Sequence, residues 1–252
     1  MRIAVIGATG MLGHHAAIAA ASAGHEPVVV YRNPRSLQQL GDLKCERRQA
    51  DLRDRAAMKS ALAGVDAAIN CAGYYPTLPR PWRKEVQTAT TQMQNFYDAC
   101  ADLPLRKIVY LGGAIALPRR GDGAPGDETL RYAQQPPDHN PYLQVKWALD
   151  EQARAQAGKG LPVAIGIPTM SFGEFDPGNT TGRFVLDMAR RSLPGFVDGK
   201  RNVIYAGDAG RGLVRVCEAG RVGERYLLTG ENLTMRQLME KVAKATGAPM
   251  PR

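Results

Sequence analysis

No stretch of this 252-residue chain is apolar for long enough to suggest a membrane span. A spanning helix needs roughly 20 such residues, and the longest candidate, the Ala-rich AAIAAASAG at Ala16–Gly24, falls well short. No secretory leader is expected either, because Ile3–Ile6 already reads as a β-strand. Cysteine is scarce: Cys45, Cys71, Cys100 and Cys217 are scattered without metal or redox spacing. That argues against a disulfide framework and points to a reducing cytoplasm. The four histidines are equally unhelpful as ligands. His14 and His15 fall in the first turn of a helix, His25 near a turn and His139 in a loop. None has ligand spacing with another donor, so no metal site is expected and a surface or packing role is the better reading. Aromatics make up only 6% of the chain. They do not interleave with a basic stripe, so nucleic acid is not the expected partner despite the net charge of +9. Arginine and lysine are spread out, with short clusters only at Arg119-Arg120 and Arg190-Arg191. A solvated basic surface or a multiply phosphorylated small ligand accounts for that charge. Internal repeats and low-complexity segments are also missing.

What is present is alternation. Short β-branched runs stand at RIAVIG, PVVVY, AAIN, KIVYL and PVAIGI, with a weaker one at KCERRQ. Helical stretches separate them at about Met11–Ala23, Arg55–Ala63, Glu85–Ala101 and Tyr142–Ala157. Strands that alternate with helices need crossover connections, which predicts an α/β fold with a doubly wound parallel sheet. After Ile167 the alternation fades. PTMSFGEFDPGNTTG reads as loop, Arg183–Arg191 as helix, LPGFVDGKRN as turn and Ala209–Ala219 as helix. RYLLTG reads as strand, and the last helix opens on Thr234 and Gln237 in capping-box spacing and closes at Gly247.

The first strand runs into AVIGATGMLG, which places Gly7, Gly10 and Gly13 between strand and helix. Gly7 permits a tight turn, Gly10 lets backbone approach a phosphate, and Gly13 lets the helix pack on the sheet. A pyrophosphate would then meet the helix N-terminus. The competing reading is a tight turn without a ligand. At the end of the second strand an acid would hold the ribose 2′-hydroxyl of NAD, but VVVYRNPRS has Arg32, with Arg35 behind it. A guanidinium pairs with a 2′-phosphate, so NADP is the expected cofactor, with NAD as the alternative. An ordinary surface arginine is the competing reading there.

Six motifs in order resemble the extended branch of the short-chain dehydrogenases/reductases, which holds NAD-dependent epimerases/dehydratases and dihydroflavonol-reductase-like enzymes. GATGMLG resembles the phosphate loop, including Thr9, Met11 and Leu12. ADLRD is similar to the segment whose Asp51 and Leu52 would contact adenine. NCAG, with Cys71, Ala72 and Gly73, resembles the loop after the fourth strand. YLQVK matches the Tyr-x-x-x-Lys signature through Tyr142 and Lys146. GIPTMSFGEFD resembles the loop that would put Pro168 and Thr169 near the nicotinamide, and GERYLLTGENLTMRQL the late strand and helix. The resemblance implies a Rossmann domain over 1–168 and a mostly substrate-binding region over 169–252, with some segments returning to the first. It also implies a small-molecule substrate, either a sugar nucleotide or an aromatic or aliphatic carbonyl, and leaves a homodimer open.

Spacing of four puts Tyr142 and Lys146 on one helix face. Tyrosine, with a pKa near about 10, is a poor acid–base group at neutral pH. A nearby ammonium would lower that value and let Tyr142 move a proton to or from a substrate oxygen, while Lys146 would also bind ribose hydroxyls. Three departures from the resemblance stand out. Gly113, preceded by Gly112, occupies the place of a serine whose hydroxyl would bond the reacting oxygen; losing such a donor typically costs about 10²–10³ in rate. Thr169, Ser171, Tyr74 and Tyr75 are the candidates to take its place. Ala89 stands where asparagine is common, and the chain is shorter than extended members usually are. These gaps keep a second function in view, a dinucleotide-binding sensor or interaction protein with little catalysis.

Overall fold

The computed structural model describes residues 1–76, 80–176 and 180–251. Seven parallel strands form the main sheet in the order β3-β2-β1-β4-β5-β6-β9. They are β1 (Arg2–Ile6), β2 (Glu26–Tyr31), β3 (Glu46–Gln49), β4 (Ala67–Asn70), β5 (Lys107–Leu111), β6 (Val163–Pro168) and β9 (Arg225–Leu228). The central strands are mostly apolar and buried because helices cover both faces. In β1, Ile3 and Val5 join one core while Ala4 and Ile6 join the other. The first core lies under α1 (Met11–Ser22) and α6 (Ala206–Ala219). The second lies under α2 (Arg55–Ala61), α3 (Trp82–Ala101) and α4 (Pro141–Gly158). This is the doubly wound Rossmann arrangement, and the strand order reverses between β1 and β4.

A second, three-stranded sheet was not expected. It is built from β7 (Met170–Phe172), β8 (Lys200–Tyr205) and β10 (Glu231–Thr234), and α5 (Thr181–Ala189) and α7 (Met235–Thr246) pack near it around Met188, Leu238 and Met239. β7 lies inside the segment read as loop, and β8 overlaps the predicted turn. β7 is only three residues long, β8 and β10 open on polar residues, and β8 buries only Ile204. Their pairing partners are remote in sequence, so local pattern carries no signal for them. Pro177, Gly178 and Asn179, in the middle of the predicted loop, lie outside the described residues. Helix α3 starts three residues before the predicted Glu85. Its extra turn is held by tertiary contacts: the Trp82 ring stacks on His139 with centroids 5.3 Å apart. The capping box of α7 forms as read, with Gly247 left-handed at φ 68°.

Candidate active site

The β1–α1 turn shows which glycines the fold itself requires. Gly7 has φ +80°, and a Cβ there would lie 2.8 Å from the Ala72 backbone nitrogen. A Cβ on Gly13 would come within 2.3 Å of the Gly7 carbonyl oxygen. Gly10 is different. Its φ is −99°, and a Cβ would meet only the Gly7 oxygen, at an ordinary 3.5 Å. Packing gives no reason for glycine at that position, whereas a ligand lying against the turn does. Helix α1 has no side-chain cap and no acid in its first turn. Its first N–H groups and the positive end of its dipole are therefore available to an anion.

These residues open onto a cavity of about 280 Å³ at the carboxyl ends of β1, β2 and β4, the place where doubly wound sheets bind ligands. Gly7, Thr9 and Gly10 line it from the turn, Arg32 from the end of β2, and Asp51 and Leu52 from the segment after β3. Cys71, Ala72 and Gly73 line it from the segment after β4. Met11, Leu12 and Gly13 sit one step behind, in the first turn of α1, and do not line it. Ile6, Val30, Ala50 and Gln92 also form its wall and were not anticipated. The first three simply end or follow strands. Gln92 stands one turn beyond Ala89 on α3, and only helix periodicity could have suggested it. The Asp51 carboxylate is held below the usual range chiefly by its hydrogen bonds with Arg53, and Arg32 adds a weaker attraction. Cys71 is no nucleophile, because burial pushes its thiol up to about 12.

Tyr142 and Lys146 lie one turn apart at the start of α4. Asn140 caps that helix by accepting hydrogen bonds from the Tyr142 and Leu143 backbone N–H groups, and Pro141 sets its first turn. The Lys146 nitrogen sits 5.9 Å from the Tyr142 ring centroid. Burial pushes the Lys146 ammonium down to about 8. The Tyr142 phenol is raised, by burial first and by neighbouring Tyr75 second. In the ligand-free protein desolvation and Tyr75 thus move the phenol in the direction opposite to the lowering expected from the lysine.

The end of β5 lies beside this pair. Gly113 is extended at φ −150°, and its absent side chain would touch the aliphatic stem of Lys146, with Cδ at 3.4 Å. Neighbouring Ala114 belongs to the wall of a second and larger cleft, about 870 Å³, between the main sheet and the second sheet. Arg119, Arg120, Lys200, Arg201 and Thr169 line that cleft as well. Arg120 pairs with Asp122 at 2.6 Å; among the described residues Arg119, Lys200 and Arg201 form no ion pair. Tyr142 and Lys146 line neither cavity. Pro168 ends β6 next to Thr169, whose hydroxyl donates to the Asn202 side-chain oxygen at 2.7 Å. His14 and His15 prove to be packing residues, buried against Phe175 and Tyr205.

The family model described as the NAD dependent epimerase/dehydratase family matches residues 3–228. The chain belongs to this family. Epimerase/dehydratase relatives surround it. A crystal structure described as a nucleoside-diphosphate-sugar epimerase from Pseudomonas aeruginosa is 45% identical, with a TM-score of 0.92 over 100% of this chain and 79% of that one. Sterol demethylase protein B from Methylococcus capsulatus is 26% identical over 100% of this chain and 76% of that protein. A dTDP-glucose 4,6-dehydratase from Streptomyces venezuelae, solved with NAD bound, is 24% identical with a TM-score of 0.80 over 100% of this chain and 84% of that one, a likeness of fold. Family membership makes the chain an enzyme of the extended short-chain dehydrogenase/reductase type, with a nicotinamide dinucleotide as its cofactor.

Proposed function

We propose that this epimerase/dehydratase-family chain is an NADP-dependent oxidoreductase or epimerase that works on a carbonyl or secondary alcohol of a phosphorylated small molecule of the sugar-nucleotide type. Two observations carry the reading: the Tyr142–Lys146 pair beside the end of β5, and a glycine turn whose Gly10 packing does not explain. The bound cofactor would supply or accept a hydride. The α1 N-terminus, through Gly10, Met11 and Leu12, would hold its pyrophosphate, and Arg32 its 2′-phosphate. Asp51 and Leu52 would meet the adenine, and Cys71, Ala72 and Gly73 would border the ribose. Pro168 and Thr169 would border the nicotinamide. Lys146 would hold ribose hydroxyls and, with a value near 8, return a proton to Tyr142 more readily than a surface lysine could. Tyr142 would exchange that proton with the substrate oxygen. The unpaired Arg119, Lys200 and Arg201 along the larger cleft favour an anionic substrate over a neutral one.

Titration calorimetry tests the cofactor assignment. NADPH is expected to bind at least about tenfold more tightly than NADH, about 1.4 kcal/mol, and Arg32→Ala to erase the difference. Tyr142→Phe tests the chemistry: turnover should vanish while cofactor affinity stays, and a variant that keeps more than about a tenth of the rate overturns the assignment. The two glycines at the end of β5 favour a second reading, a dinucleotide-binding sensor with little catalysis. Tight NADPH binding with no turnover of any sugar nucleotide or carbonyl would select it. The unpaired cysteines agree with a cytoplasmic setting. A homodimer is compatible with this reading, and sedimentation would decide it.

A further inference from the structure

The place of the missing serine hydroxyl has four candidates, and the structure separates them. The Thr169 hydroxyl is committed to Asn202, and the Ser171 hydroxyl donates to the Thr169 carbonyl at 3.0 Å. Tyr74 is half-buried, packed against the core under α3 and α4, and nearby Glu85 raises its phenol. Tyr75 remains. Its ring lies 4.9 Å from the Tyr142 ring at a tilt of 42°, it is 58% exposed, and among the described residues no hydrogen bond engages its hydroxyl. Its ring is thus open to solvent on one side and in contact with the proposed acid on the other.

We propose that Tyr75, from the loop after β4, is a further catalytic residue whose phenol donates the hydrogen bond to the reacting substrate oxygen that a serine at Gly113 would otherwise donate. The inference rests on the oxidoreductase reading above. In the reductive direction the reduced nicotinamide would supply hydride to the carbonyl carbon, and the C=O π pair would move onto oxygen. The Tyr142 proton passes to that oxygen, and Lys146 and solvent restore it. Tyr75 keeps its own proton and stabilises the charge that grows on oxygen, an interaction stronger in the transition state than in the ground state.

The test uses the whole chain with NADPH and pyridine carboxaldehyde as test carbonyl. Tyr75→Phe keeps the ring and removes only the hydroxyl. It should lower kcat about 10–100-fold, the range of a lost oxyanion donor or somewhat below it, with the KM for NADPH unchanged. Gly113→Ser should change the wild-type rate less than about threefold, yet raise the Tyr75→Phe rate at least about tenfold, because the extended backbone at Gly113 accepts a Cβ. Ultraviolet titration of the ligand-free protein gives a reading independent of turnover: Tyr75→Phe should let the Tyr142 phenol, identified by its loss in Tyr142→Phe, ionise at lower pH. A Tyr75→Phe rate within about threefold of wild type, a cofactor-binding double variant without rescue, or an unmoved Tyr142 titration would overturn the role of Tyr75 alone. Wild-type protein that turns over no carbonyl at all would overturn the oxidoreductase reading and this inference with it.

Discussion

The dinucleotide crevice and the basic cleft beyond it are built in opposite ways. The crevice is made largely of strand ends, one glycine turn and a helix start, with most of its wall from the carboxyl ends of β1, β2, β3 and β4. The cleft is made of side chains brought from the segment after β5, from β8 and from the turn before β10, spread over more than a hundred residues of chain. The first can be held rigid by main-chain hydrogen bonds and close packing. The second depends on a few side-chain ties, chief among them the buried Arg225–Asp150 pair joining β9 to α4, with Arg225 also donating to the Leu130 carbonyl at 3.0 Å. A backbone-built site tolerates almost no change in shape but many changes of surface side chain. A side-chain-built site is open to new substrates at the cost of a few contacts.

Substitutions at the two sites test this contrast. The largest loss is expected from Arg225→Ala, which strands the Asp150 carboxylate in the interior. Breaking a buried pair by removing one partner costs about 3–5 kcal/mol, to be read as a lowered denaturation midpoint, with NADPH affinity at low temperature within about threefold of wild type. Next comes the pair Gly13→Ala and Gly10→Ala. The first drives a Cβ into the Gly7 carbonyl and should cost about 3 kcal/mol of stability by overpacking. The second should leave stability within about 0.5 kcal/mol and cut NADPH affinity at least about tenfold. Equal melting of the two variants would erase the distinction between a packing glycine and a ligand glycine.

Lys146→Met probes the junction of the two sites. The folded-state value of Lys146 lies near 8, below its ordinary 10.5. Between those values the unfolded chain binds more protons, so the native state gains stability as pH rises through that window and bears the full cost below it. The variant should therefore melt higher than wild type near neutral pH, by about 1–3 kcal/mol in stability, and the gap should close toward the unfolded-state value. A gap that stays constant with pH would mean that Lys146 is not held in a desolvated site. The smallest effect is reserved for Lys200→Gln at the cleft. It should weaken UDP-glucose binding by up to about tenfold, less at high salt, and leave NADPH untouched. A loss of NADPH affinity instead would merge the two sites into one.

Much of the crevice, and the residue pair beside the end of β5, was legible from local pattern. A turn that needs glycine, a strand that ends on Arg32 and a helix with Tyr142 and Lys146 one turn apart are each contained in a few consecutive residues. Gln92, Ile6, Val30 and Ala50 were missed because an apolar or amide side chain has no signature until the strands and α3 place it on a wall. The second sheet was missed for a different reason: β7 is only three residues long, β8 and β10 open on polar residues, and each pairs with a strand distant in sequence.

The sequence by itself determined the α/β alternation, the phosphate-type turn and the spacing of the Tyr142–Lys146 pair, because periodicity and the steric demands of glycine act over a few residues and survive any tertiary context. Tertiary structure alone decided the protonation behaviour of that pair, since desolvation is a property of everything packed around a group and reversed the shift expected for Tyr142. It also decided which side chains meet, as Thr169 is tied to Asn202 while the Tyr75 ring leans on Tyr142. Both outcomes depend on contacts between segments that the order of residues does not place together.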